Sequence, residues 1–164
     1  MTEDDVFKQA VSYGIKTVEI TGGEPLMQEE VFSLITRLLD SGFKVLVETN
    51  GSVSISRVDR RAIIIMDVKT PGSAVSDRMD AGNLRLLKPQ DELKFVIADR
   101  WDYEWTRDFI RKHELAGICT ILLAPVFGVL SPGDLSRWIL EDRLRVRLNL
   151  QLHKYIYGPE ERGV

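Results

Sequence analysis

The sequence predicts an α/β fold with parallel strands and helices on the outside, in one domain spanning residues 1–164. Three observations carry this. Short apolar, β-branched runs alternate with amphipathic helical stretches along the chain. No pair of runs needs a hairpin, since the runs flanking Asn50-Gly51 are too unequal for one. The runs also end in glycine-rich or polar segments, as strands do where a parallel sheet meets its ligand. A βα barrel or part of one is the leading architecture, and an open doubly wound sheet is second.

Taken in order, Thr2-Glu3-Asp4-Asp5 has capping-box spacing for a helix with Val6, Phe7, Ala10 and Val11 on its apolar face, stopped at Gly14. Thr17 to Thr21 reads as a strand, followed by Gly22-Gly23-Glu24-Pro25. Gln28 to Asp40 is the clearest helix, with Val31, Phe32, Leu34, Ile35, Leu38 and Leu39 on one face. Phe43 to Glu48 is a strand, and 52–61 a loop with one short helical turn. Ala62 to Val68 is a continuous apolar run, predicted to be a strand buried on both faces. Residues 73–91 read as a mobile connection with a helical turn near Asn83 to Leu87. Glu92 to Ile97 is a strand. Asp99 caps the next helix, whose stripe of Trp101, Trp105, Phe109 and Ile110 is assigned to core packing in preference to an aromatic ligand platform. Cys119 to Leu123 is a strand, Ser131-Pro132-Gly133-Asp134 opens another helix, and Leu144 to Leu152 alternates as a strand.

Composition excludes several functions. A net charge of −3 and a pI near 5.5 give no electrostatic reason for nucleic acid or an anionic membrane as partner. No apolar run approaches a membrane span and the acidic start has no signal-peptide pattern, so a cytoplasmic protein is expected. The single Cys119 allows no internal disulfide and no multi-cysteine metal site. No Ser-His-Asp set, Walker loop, G-x-G-x-x-G or H-E-x-x-H is present, and His113 and His153 are too isolated to argue zinc.

Parallel strands would bring their carboxyl ends to one rim. That rim would hold Thr21 and Glu24, Glu48 and Asn50, Asp67 and Lys69, Pro125, Gln151 and His153. Each alone has a dull explanation as a solvated polar group. Together they suit a small polar ligand with amine, hydroxyl and carboxylate groups.

These residues carry a resemblance. Thr21-Gly22-Gly23-Glu24-Pro25 resembles the S-adenosylmethionine motif of radical SAM enzymes. With Glu48-Thr49-Asn50-Gly51, the run from Asp67 to Ser73, Asp91 to Ile97 and the ending Leu150 to Ile156, the chain resembles the 7-carboxy-7-deazaguanine synthase family of the queuosine pathway. The resemblance covers nearly the whole chain from about residue 14. It implies a partial (β/α)6 barrel and carbon–nitrogen lyase chemistry. A 4Fe-4S cluster cleaves S-adenosylmethionine, and the resulting radical drives ring contraction of 6-carboxytetrahydropterin with loss of ammonia. Gly22, Gly23 and Glu24 would hold the methionyl amine. Asp67, Val68, Lys69 and the turn Ala124, Pro125, Val126 and Phe127 would line the rest of the cofactor. Thr21, Glu48, Asn50, Gln151, His153 and Pro159 would face the pterin. Mg2+ on the substrate side is also implied, and a homodimer is expected.

One departure is large. The family holds its cluster through three cysteines on a loop after its first strand, upstream of the Gly-Gly-Glu strand. Neither that strand nor those cysteines are among these residues. Truncation at the N-terminus is the leading expectation, a cluster-less small-molecule binding module the second, and ligands from another chain the third. The strand at Thr17 is expected to present an open edge.

Overall fold

A computed structural model describes residues 2–73 and 79–161. Its strands are β1 (Thr17–Ile20), β2 (Lys44–Thr49), β3 (Ile63–Val68), β4 (Glu92–Ile97), β5 (Thr120–Pro125) and β6 (Arg147–Leu148). The helices are α1 (Glu3–Ser12), α2 (Glu30–Asp40), α3 (Arg100–Lys112), α4 (Pro132–Glu141) and α5 (Leu152–Ile156). The strands run in chain order through one six-stranded sheet, β1-β2-β3-β4-β5-β6, with parallel pairing at β1–β2, β2–β3 and β5–β6. The α/β class read from the alternation is thus the one observed. No described helix is long and apolar enough to cross a membrane.

The chain divides into two compact units. The first comprises residues 1–67 and 78–92. Its register aligns Val18 with Val45, Ile20 with Val47 and Ile64, and Thr49 with Met66. Because side chains alternate along a strand, these residues share one face. On that face Val45, Val47, Thr49, Ile64 and Met66 are all buried. The opposite face of β3 is only half-buried, so the expectation of burial on both faces is corrected. Ile63, Ile65 and Asp67 lie on that half-buried face. α2 buries Val31, Leu34, Ile35 and Leu38, as its periodicity predicts. α1 carries the expected capping box, in which the Thr2 hydroxyl accepts the Asp5 N–H.

Residues 79–91, read from sequence as part of a mobile connection, are ordered by buried polar groups. A 3-10 turn, Ala81–Arg85, carries Asn83, which is fully buried. Its amide donates to the Gly51 and Val53 carbonyls, both at 3.0 Å, and its oxygen accepts the Ile55 N–H at 2.9 Å. Asp91 is also fully buried and accepts the N–H groups of Ile64 and Lys88. The remainder of that connection, 74–78, lies outside the described residues.

The second unit comprises residues 68–77 and 93–164. α3 begins where Asp99 accepts the Asp102 N–H. Of the predicted stripe Ile110 is buried, Trp105 and Phe109 are half-buried and Trp101 is 59% exposed; Asp102, Tyr103 and Thr106 complete the buried face. Trp105 stacks on Phe109, which in turn meets the buried Phe95 edge-on. The predicted nine-residue strand at 144–152 shrinks to the two residues of β6, and α5 follows it. Local turns account for this: the N–H of Val146 donates to Leu144 and that of Leu152 to Leu150, so little of the backbone is left for a strand partner.

Candidate functional site

Within the first unit, the site is built where β1 ends. Gly22 and Gly23 take φ of +99° and +57°, values that strain a residue with a Cβ. A Cβ at either would meet nothing within 4 Å, so this backbone opens onto space and not onto packed protein. Glu24 follows and caps the 3-10 turn Pro25–Met27, accepting the Leu26 N–H at 3.1 Å. The same carboxylate accepts the Asn50 N–H at 2.8 Å, and the Thr49 hydroxyl lies 2.9 Å from each of its oxygens. The Thr49 oxygen in turn accepts the Gly51 N–H at 3.1 Å. Beside this network the Thr21 hydroxyl donates to Glu48 Oε2 at 2.8 Å.

The structure therefore brings together Thr21, Gly22, Gly23, Glu24, Glu48 and Asn50. The side-chain oxygen of Asn50 accepts the Ser52 N–H at 2.9 Å, which holds its own turn closed. Asp67 ends this unit on the half-buried face of β3. Thr49 was not among the residues singled out by sequence. Its signal was its place in Glu48-Thr49-Asn50-Gly51, at a strand position that points inward with Val45 and Val47.

Within the second unit, Val68 is buried and Lys69 half-buried. The turn after them is tightly held. The Thr70 hydroxyl donates to the Val96 carbonyl at 3.3 Å, and the Gly72 N–H donates to Asp102 Oδ1 at 3.0 Å. Ala124 and Pro125 end β5 as buried residues. The Val126 N–H donates to the Ile97 carbonyl at 2.9 Å, and its own carbonyl accepts from Val129 and Leu130 at 3.1 Å. Phe127 meets Tyr155 edge-on, with centroids 4.9 Å apart. This aromatic contact, which no sequence pattern announced, brings the turn after β5 to α5. Gln151 stands at the N-cap of α5, His153 is exposed in its first turn, and Pro159 is exposed beyond it.

No protein-family model matches the chain. Curated relatives do. A 7-carboxy-7-deazaguanine synthase from Chlorobaculum tepidum is 44% identical over all of this chain, which covers 76% of that protein. The chain belongs to the 7-carboxy-7-deazaguanine synthase family. A synthase of the same name from Koribacter versatilis is 42% identical, with all of this chain and 79% of the relative covered. One from Clostridium acetobutylicum is 36% identical, with all of this chain and 76% of the relative covered. Among solved structures, QueE from Escherichia coli matches with a TM-score of 0.71 at 21% identity, over 92% of this chain and 64% of that one. That likeness shows a shared fold. 7-Carboxy-7-deazaguanine synthases are radical SAM enzymes of the lyase type, the class expected from the motifs.

Two groups belonging to that class can be tested against the residues. A 4Fe-4S cluster is held by several cysteine thiolates. These 164 residues contain one cysteine, Cys119, next to the start of β5 and away from the turn that ends it. They do not fit the cluster. The methionyl end of S-adenosylmethionine carries an ammonium and a carboxylate. An open glycine backbone beside an anionic side chain, as at Gly22 to Glu24, does fit that end.

Proposed function

We propose that this chain carries the S-adenosylmethionine- and pterin-binding parts of a 7-carboxy-7-deazaguanine synthase. The family's reaction contracts 6-carboxytetrahydropterin to 7-carboxy-7-deazaguanine with loss of ammonia. The observation that carries the reading is the joined rim of the first unit, where open glycine backbone, Glu24 and the Asn50 turn are linked by hydrogen bonds. In this reading Gly22, Gly23 and Glu24 take the methionyl ammonium. Asp67, Val68, Lys69 and the segment from Ala124 to Phe127 line the cofactor. Thr21, Glu48, Asn50, Gln151, His153 and Pro159 are assigned to the pterin. The chain's own contribution is to bind and orient the two molecules and to keep water from them. Mg2+, a homodimer and a cytoplasmic setting belong to the same reading.

A second reading is a small-molecule binding module that takes a nucleoside or pterin without radical chemistry. The single cysteine favours it. Titration calorimetry with S-adenosylmethionine and with 6-carboxytetrahydropterin, each with and without Mg2+, tests the first reading, and sedimentation of the same sample tests the dimer. Binding of both ligands is expected. Binding of the pterin alone selects the second reading, and binding of neither sinks both. Anaerobic iron–sulfur reconstitution of these 164 residues is expected to give no stoichiometric cluster.

A further inference from the structure

Glu24 is surrounded by donors from its own chain. A carboxylate offers about four acceptor positions. The Leu26 N–H, the Asn50 N–H and the Thr49 hydroxyl occupy three of them. These donors come from two segments, the 3-10 turn after β1 and the end of β2. Glu24 therefore stitches the glycine turn to the Asn50 turn, with the Thr49 hydroxyl 2.9 Å from both of its oxygens.

Thr49 is the least replaceable member of the set. It is 2% exposed, so water cannot stand in for its hydroxyl. The hydroxyl works in both directions: it donates to Glu24 and accepts the Gly51 N–H. The terminal torsion of a glutamate is soft, so its donors set the carboxylate plane; the Leu26 N–H meets Oε1 and the Asn50 N–H meets Oε2. A hydroxyl placed 2.9 Å from both oxygens fixes it.

We infer that Thr49 is a positioning residue: it sets the plane of the Glu24 carboxylate and, through it, the spacing of the Gly22–Gly23 turn from the Asn50 turn. The inference rests on the reading of Gly22 to Glu24 as a cofactor turn. It assigns Glu24 two simultaneous tasks, internal acceptor and ligand contact, and makes the second depend on Thr49.

Three variants of the 164-residue protein test it. Thr49→Val keeps the shape and removes the hydroxyl. Thr49→Ser keeps the hydroxyl. Val47→Ala loosens the same buried face without touching a hydrogen bond. S-adenosylmethionine affinity is measured by calorimetry, and amide hydrogen exchange is followed at Asn50 and Gly51. Thr49→Val is expected to bind about tenfold more weakly and to exchange faster at both amides. Thr49→Ser and Val47→Ala are expected to bind like the parent. Parent-like binding by Thr49→Val overturns the inference, and so does an equal loss in Val47→Ala, which would mark the effect as general loosening. If the parent itself does not bind S-adenosylmethionine, the cofactor reading falls. The exchange comparison then decides alone, and unchanged rates at Asn50 and Gly51 in Thr49→Val overturn the positioning role.

Discussion

Asp91 has no exposed surface, and three donors converge on it: the Ile64 N–H at 2.9 Å, the Lys88 N–H at 3.0 Å and the Lys88 ammonium. Removing one partner of a buried pair leaves the other charge without compensation, which costs about 3–5 kcal/mol. Asp91→Ala is therefore expected to lower the urea midpoint by a corresponding amount, with Asp91→Asn intermediate. A midpoint within error of the parent would show that Lys88 reaches water on its own. Nothing in the local sequence announces this residue, because an aspartate before a strand is normally a solvated turn residue. Asn83 was equally hidden. Its three bonds reach Gly51, Val53 and Ile55, about thirty positions upstream, and such distances leave no periodic trace. The Gly-Gly-Glu turn was legible for the opposite reason, since its strain and its charge are local properties. Thr49 falls between the two: its motif was visible, but its partner lies 25 positions away and only the register supplies it.

At the scale of elements, legibility followed the same division. Caps are local, and Thr2, Asp99 and Ser131 cap the helices expected of them. Which face a helix buries depends on what packs there. In α3 Trp101 is left exposed while Asp102, Tyr103 and Thr106 are buried, and Asp102 has tertiary work. It accepts the N–H groups of Gly72 at 3.0 Å and Ala98 at 3.2 Å, tying the turn after β3 to the start of α3. A Cβ at Gly72 would meet the Asp102 carboxylate at 2.9 Å. Gly72→Ala is expected to destabilise the protein by about 1–3 kcal/mol, the range for forced overpacking. Thermal unfolding of that variant beside Gly117→Ala, where a Cβ meets nothing within 4 Å, separates the clash from a general effect of added side chain. Equal shifts in the two variants would remove Asp102 from the account. Leu144 to Leu152 teaches the converse: Leu144, Val146, Leu148 and Leu150 are half-buried, but alternation alone does not supply a strand partner.

For the molecule as a whole, acid is the condition to which its electrostatics respond. Asp142 is held below the usual aspartate range, chiefly by the Tyr103 hydroxyl and then by Arg107. Asp59 is lowered by the side chain and backbone of Arg61. Tyr103 is pushed up, first by burial and then by Asp142. A carboxyl group lowered in the folded state contributes stability that is fully present above its unfolded value of about 3.9. That contribution is lost as pH falls through the lower folded value. Between those values the unfolded chain binds more protons, so stability rises with pH there. Asp142→Asn should accordingly be less stable than the parent at pH 7 and converge with it once pH falls below the lowered folded value. Urea midpoints measured across that span check this, and a constant difference at every pH would contradict it.

The strands follow chain order, as the leading barrel reading implies and the doubly wound alternative does not. One consequence concerns time. β2 and β3 can each meet the preceding strand as soon as they are synthesised, yet the first unit is finished only by residues 78–92. A nascent chain that has released only β1 to β3 still lacks Asn83 and Asp91, the groups that satisfy the Ile55 and Ile64 N–H. The ribosome must add the start of the second unit, residues 68–77, before the first can close. The rim that carries Glu24 and Thr49 is thus encoded early and locked late.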